Sequence, residues 1–198
     1  QGLSVFSEIA HEADKARRLD ETARRAAEMW AAATPADNTP PYLERKGVQA
    51  HGLRIYQGAL IVPMRDGSAI HSLQFINPDG SKRFLTGGRV TGCYYSIGRP
   101  KHALCITEGF ATGASVFEAA GVAVAVAFNA GNLLPVARVL RERFPDLRLI
   151  VCADDDSTTD GNPGLTKARE AAQAVGGLVA VPDFAKDRPE GATDFNDL

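Results

Sequence analysis

The sequence predicts an α/β protein: a four-stranded parallel sheet flanked by helices, preceded by a small basic α+β lobe. Three observations lead there. From Ala103 onward, short apolar runs alternate with helical patterns, the signature of a parallel sheet covered on both faces. Between Leu53 and Tyr95 the runs are shorter and separated by turn signals, as in an antiparallel sheet. Charge divides the same way. Tyr42 to Lys101 carries nine Lys and Arg against three Asp and Glu, whereas Ala103 to Leu198 carries eight against fourteen. A net +6 stretch joined to a net −6 stretch suits a protein that holds a polyanion in one part and cations in the other.

Residues Ala13 to Ala33 read as an amphipathic helix with Ala16, Leu19, Ala23, Ala27 and Trp30 on its apolar stripe. Pro35 and Asn38-Thr39-Pro40-Pro41 end it. A short helix over Pro41 to Lys46 follows, with Pro41 in its first turn and Gly47 as a left-handed cap. Strands are predicted over Leu53–Gln57, Ala59–Met64, Ala69–Ile76 and Lys82–Thr86, with Asp66-Gly67 and Asn77-Pro78-Asp79-Gly80 as turns. The alternating half gives strands at Ala103–Thr107, Val122–Phe128, Leu147–Ala153 and Leu178–Val181. Its helices are at Phe110–Ala120, Leu133–Phe144 and Gly164–Val175. The expected organisation is an N-terminal helix and linker over 1–40, a basic lobe over 41–102, and the acidic α/β domain over 103–198.

The 198 residues suffice for a real core. The longest strongly apolar stretch, Val122 to Phe128, falls far short of the ~20 residues a membrane span needs, so no membrane role and a cytoplasmic location are expected. Cys93, Cys105 and Cys152 have no zinc-like spacing and read as reduced thiols. The chain begins Gln1-Gly2 without methionine and stops at Asp194-Phe195-Asn196-Asp197-Leu198, which reads as a piece of a longer protein.

Ligands of open parallel sheets bind beyond the carboxyl ends of strands where strand order reverses. Two acidic motifs stand at such ends: Glu108 after Leu104-Cys105-Ile106-Thr107, and Asp154-Asp155-Asp156 after Leu149-Ile150-Val151-Cys152-Ala153. If the first and third strands of this half are neighbours, both reach one crevice. Two carboxylates ~4 Å apart repel by roughly 4 kcal/mol at an effective dielectric near 20, so protonation or cations must relieve the cluster. Hard oxygen ligands without His or Cys favour Mg²⁺, with Mn²⁺ as substitute. In Asp154-x-Asp156 the alternate residues face one ion while Asp155 faces elsewhere. The plainer reading, aspartates as turn or capping residues, stays open. Gly109 allows a sharp turn into a helix whose N-terminus suits phosphate, and Gly113 reads as a close helix–sheet contact. Gly161-Asn162-Pro163-Gly164-Leu165-Thr166-Lys167 lacks P-loop spacing, and Lys167 and Arg169 read as a solvated helix face.

A strand ending in Glu108-Gly109 followed by one ending in Asp154-Asp155-Asp156 resembles the Toprim domain, shared by bacterial-type primases, topoisomerases, small nucleases and recombination mediators. The resemblance covers Ala103 to Leu198. It implies Glu108 as a metal-associated acid or base, and Asp154 and Asp156 as metal ligands. The tail resembles the D-x-N-D end of Toprim domains in phage and plasmid primase-helicases, which implies that Asp194 and Asp197 approach a second ion. Ile61-Val62-Pro63-Met64-Arg65-Asp66, Ser72-Leu73-Gln74-Phe75-Ile76, Lys82-Arg83-Phe84-Leu85 and Gly87-Gly88-Arg89 look like the N-terminal half of a primase core. That makes Arg65, Lys82, Arg83 and Arg89 candidates for phosphate contacts, with an ordinary solvated role open for each.

The implied activity is Mg²⁺-dependent synthesis of RNA primers from nucleoside triphosphates on single-stranded DNA, with a helicase domain or partner elsewhere. No zinc module or helicase motor is present in these residues, which fits a mobile-element primase reduced to its middle. A Toprim nuclease and a non-catalytic DNA-binding module are the alternatives. A topoisomerase fits less well, since Tyr42, Tyr56, Tyr94 and Tyr95 all precede Glu108. Tyr94-Tyr95 offers either base stacking or core packing.

Overall fold

A computed structural model describes residues 2–185 and 188–198, with side chains from residue 7 onward. The chain divides into two compact units, and neither is continuous in sequence: residues up to 36 join 52–90, and 37–51 join 91–198.

In the first unit α1 (Gly2–Ala32) runs to β1 (Thr34–Pro35), then β2 (Arg54–Tyr56), β3 (Ala59–Arg65), β4 (Ile70–Ile76) and β5 (Lys82–Phe84). The five strands lie in the order β1-β2-β3-β4-β5 and are antiparallel throughout. Gln57 and Gly58, at φ +49 and +81, close the β2–β3 hairpin. Two consecutive positive φ values match the strand twist, which is why this turn favours Gly at its second position. Between β4 and β5, Asp79 Oδ1 accepts from Ser81 N at 2.8 Å, the local bond that makes Asp a turn residue.

Helix α1 begins at residue 2, earlier than the apolar stripe suggested, because nothing between Gly2 and Glu12 breaks a helix. The buried face only partly follows the predicted one: Trp30 packs against the core, and Leu19 and Ala23 are half-buried. Thr22, Ala26 and Ala33 are buried, while Ala16 and Ala27 are exposed. Ala26 packs with Ile61, Leu73, Phe75 and Leu85. A small residue there lets the helix approach β4 closely.

The second unit contains α2 (Pro41–Lys46), β6 (Tyr95–Ile97), β7 (Ala103–Thr107), α3 (Phe110–Ala120), β8 (Ala123–Val126), α4 (Leu133–Arg143), β9 (Arg148–Cys152), α5 (Pro163–Ala174) and β10 (Leu178–Ala180). Strand order is β10-β9-β7-β8-β6. Four strands are parallel, as predicted. The sheet gains an antiparallel edge strand, β6, whose three residues were too short to read as periodic. Leu104, Ile106, Leu149 and Val151 face the core formed with Leu133, Val136, Leu140, Ala168 and Ala172 of α4 and α5. On the opposite face α3 packs against β7 and β8. A Cβ on Gly113 would stand 2.9 Å from Thr107 Oγ1 and from Val126 Cγ2, so glycine there sets the helix–sheet distance. Gly47 caps α2 in the left-handed region, as its position predicts.

All three cysteines are buried and unbridged. Tyr94 and Tyr95 are buried too. Arg143 Nη1 donates to Tyr94 Oη at 3.0 Å, and Tyr95 Oη donates to the His51 carbonyl at 2.6 Å. Core packing is therefore the role of this pair, and it offers no stacking platform. Among the described residues, no helix is long and apolar enough to cross a membrane.

Candidate active site

Strand β7 pairs in parallel with β8 on one side and β9 on the other, with Cys105 opposite Ile150 and Ile106 opposite Val151. After β8 the chain crosses back over β7 to form β9, so strand order reverses between β7 and β9. A crevice opens beyond their carboxyl ends at such a point. Glu108 leaves the end of β7 and Asp154 the end of β9, with all four acids of the two motifs half-buried.

Glu108 is pushed up from the ordinary 4.5 to about 7. Burial is the largest cause, followed by the charges of Asp156 and then Asp194, against a partial opposing contribution from the Ala130 N–H. Three carboxylates from three segments are thus near enough to feel one another. Glu108 Oε1 is buried without a hydrogen-bond partner among the described residues.

The aspartate loop divides its work. Asp155 turns away, accepting from Asn162 Nδ2 at 2.7 Å and from Arg188 Nη1 at 2.6 Å. These bonds, Asn162's first, hold its carboxyl below the usual range. Asp156 Oδ2 accepts from Gly164 N at 3.1 Å, in the first turn of α5. Asn162, at φ +41, caps the same helix by accepting from Leu165 N at 3.4 Å. A Cβ on Gly164 would lie 2.5 Å from the Asp154 carbonyl oxygen and 2.9 Å from Asp156 Oδ2. The helix start therefore presses directly on the acidic loop.

In the tail, Asp194 is close enough to raise Glu108, and second to burial it also raises Tyr42, whose hydroxyl reaches about 12. Asp197 serves the tail itself: its Oδ2 accepts from Thr193 N at 2.8 Å and Asp194 N at 3.2 Å, while Lys46 Nζ lies 3.7 Å from Oδ1. Asn196 anchors the turn, donating to the Lys46 carbonyl at 2.7 Å and Ser115 Oγ at 2.9 Å.

Among the described residues no three His, Cys, Asp or Glu side chains are drawn together tightly enough to hold an ion as they stand. Asp156 and Asp197 are each bonded to separate backbone amides. The donor chemistry nonetheless fits a hard divalent cation: oxygen ligands only, with one buried carboxylate oxygen lacking a donor.

Gly109 differs from expectation. Its φ of −100 is open to any residue, and a Cβ would meet only Thr112 Oγ1 at 3.4 Å. No turn requirement holds glycine there. α3 begins without a side-chain cap.

The basic candidates all lie in the first unit. Arg65 Nη1 donates to the Ser68 carbonyl at 2.6 Å, and Arg89 is ion-paired with Asp66, which also meets His71 Nε2 at 2.6 Å. Lys82 and Arg83 are exposed, with the Arg83 guanidinium 4.1 Å from the Phe75 ring centroid. Lys167 pairs with Glu170 along the exposed face of α5.

Sequence reasoning overlooked the loop after β8. Phe128 sits there at φ +75, rare for a bulky residue and a sign of over-determined backbone. Asn132 holds it. Its amide nitrogen donates to the Ala127 carbonyl at 2.8 Å and the Cys93 carbonyl at 2.9 Å, and its oxygen accepts from Gly92 N at 2.8 Å. This loop presents the Ala130 N–H to Glu108. Asn162 before Pro163 was a readable cap signal; Arg188 gave none beyond its charge.

The parallel sheet with this strand order and its acidic switch point agree with what the comparisons find: this chain matches the Toprim domain over residues 103–198. Across nearly its whole length it is similar to two Escherichia coli proteins named DNA primase TraC. One is 39% identical over 203 residues, covering 93% of this chain and 14% of that protein. The other is 39% identical over 185 residues, covering 87% and 17%. The chain thus spans less than a fifth of the curated relatives it matches. Among solved structures, the primase fragment of the bacteriophage T7 primase-helicase protein has a TM-score of 0.51 at 16% identity, over 79% of this chain and 63% of that one. At that identity the likeness establishes the fold.

Proposed function

We propose that this chain is the catalytic core of a DNA primase, which joins ribonucleoside triphosphates into RNA primers on single-stranded DNA. In this reading 103–198 carries the Toprim domain, while the basic lobe expected over 41–102 is divided, 52–90 joining the N-terminal helix in the first unit and 41–51 with 91–102 joining the second. The single observation that carries the proposal is the parallel pairing of β7 with β9, which brings Glu108 and the aspartate loop to one switch point. The similarity to the TraC primases over 93% and 87% of the chain supports the primase assignment among Toprim activities.

Asp154 and Asp156 would hold a divalent cation with Glu108, and Asp194 and Asp197 would approach a second. Mg²⁺ is the expected ion and Mn²⁺ its substitute. Bound cations supply charge stabilisation at a transferring phosphoryl group and ease ionisation of the attacking hydroxyl. In the reaction a 3′-hydroxyl attacks an α-phosphate and pyrophosphate leaves. Glu108 would either complete the ligand set or accept that hydroxyl proton. Arg65, Lys82, Arg83 and Arg89 bind template and nucleotide phosphates in a salt-sensitive, sequence-tolerant way. For Arg89 this requires exchanging Asp66 for a phosphate. The working context would be the cytoplasm, on a mobile element, with a helicase domain or partner.

The test is incubation with labelled ribonucleotides, Mg²⁺ or Mn²⁺ and single-stranded template. Short labelled RNA that disappears in Asp154→Asn supports the proposal. Template scission without nucleotides would make the site a nuclease, and binding unchanged by Asp154→Asn, with no product, would make it a non-catalytic module.

A further inference from the structure

Three successive aspartates follow β9, and the middle one has partners of its own. Asp155 is clasped by Asn162 and Arg188. The Arg188 guanidinium also donates to Ser157 Oγ at 2.9 Å and to the Asp155 carbonyl. Its Nε and Nη2 donate to the Ala192 carbonyl at 2.8 and 2.6 Å. The Phe184 ring lies against it, 4.8 Å from centroid to Cζ. The Arg188 side chain is 29% exposed and that of Asp155 18%. Beside this tie, Asp155 N donates to the Thr193 carbonyl at 2.7 Å.

One planar cation therefore joins two segments, each of which carries proposed metal ligands: Asp154 and Asp156 flank Asp155, and Asp194 follows two residues after Ala192. Five N–H donors in a fixed fork can serve all these acceptors together, which an ammonium cannot. The pairing also neutralises the middle carboxylate, which would otherwise add a third negative charge to the loop and compete as a ligand.

We propose that Arg188 is a positioning residue that holds the Asp154–Asp156 loop and the Asp194 segment as one metal-binding element while keeping Asp155 out of the ligand set. The inference rests on the metal-site reading above.

The experiment measures Mn²⁺ binding to the metal-free full chain by electron paramagnetic resonance. It compares the wild type with Arg188→Ala, Arg188→Lys, Asp194→Asn, Arg188→Ala/Asp194→Asn and Asp154→Asn, with circular dichroism as the folding check. Arg188→Ala is expected to weaken Mn²⁺ binding by about 10–100-fold, the usual cost of losing a residue that orients ligands. Arg188→Lys should fall between it and the wild type. Asp194→Asn should weaken binding in the wild type but change it by less than about twofold when Arg188 is already absent, because coupled residues are not additive. Wild-type affinity in Arg188→Ala, or independent additive losses, would overturn the inference. If Arg188→Ala does not fold, Arg188→Lys paired with Asp194→Asn supplies the same cycle. Should Asp154→Asn bind Mn²⁺ like the wild type, the metal site itself fails and the role of Arg188 with it. If Asp154→Asn loses binding while the Arg188 and Asp194 effects simply add, only the role of Arg188 fails.

Discussion

Replacing Glu108 with glutamine should stabilise the metal-free protein at alkaline pH, although it removes a proposed catalytic group. The carboxyl titrates near 7 when folded, against 4.5 ordinarily, chiefly because it is buried and then because Asp156 and Asp194 face it. An acid raised in this way loses its proton more readily from the unfolded chain. The folded state therefore loses stability as pH rises from about 4.5 to about 7, and the loss is constant above that. Undiminished, the shift corresponds to about 3 kcal/mol at pH 8. Because the side chain is only half-buried, solvent screening reduces this to roughly 1–2 kcal/mol. For a chain of this length that is about 2–8 °C in Tm. Calorimetry of wild type and Glu108→Gln in a chelating buffer should show melting curves that nearly coincide at pH 4.5 and separate by pH 7.5, with the variant higher. Saturating Mg²⁺ should narrow the gap, because a bound cation stabilises the carboxylate form alone. A variant less stable than wild type at pH 8, or a gap independent of pH, would refute the account of Glu108 as a strained acid among acids.

Gly164→Ala should cost about 1–3 kcal/mol through overpacking, since its Cβ would stand 2.5 Å from the Asp154 carbonyl oxygen. Divalent-ion affinity should fall with it; chemical denaturation and Mn²⁺ titration check the two effects. Asn132→Ala leaves Gly92 N and the Cys93 and Ala127 carbonyls without their side-chain partner. A loss of about 3 kcal/mol or more is expected, and hydrogen exchange at Gly92 should accelerate. Under the proposed strand binding, Arg83→Ala should lower the slope of log affinity against log salt by about 0.7, measured by fluorescence anisotropy with labelled single-stranded DNA.

Most of the fold was legible because its elements announce themselves locally. β7 and α3 follow their predicted limits, since Ala103–Thr107 is a continuous apolar run and Gly109 and Gly121 bracket the helix. The outlying parts were less legible because their order comes from distant partners. β6 is three residues long and exists by pairing with β8. The burial of Ala26 on α1 comes from packing against Ile61, Leu73 and Phe75 of β3 and β4. The acidic residues could be picked out by position after strands, but their neighbours could not. That Asp155 is claimed by Arg188, and that Ala130 reaches Glu108 through a loop with Phe128 at positive φ, depends on tertiary placement that no spacing encodes.

The interleaving of the two units has a practical consequence for anyone who would trim this protein. A fragment beginning at residue 103 would keep every acidic ligand candidate yet lose β6, baring the backbone edge of β8 to pairing with other molecules. It would also discard α2, and with it Lys46, whose carbonyl anchors Asn196. The minimal stable piece should instead carry 37–51 on a short linker to 91–198, a splice that chain order alone would never suggest.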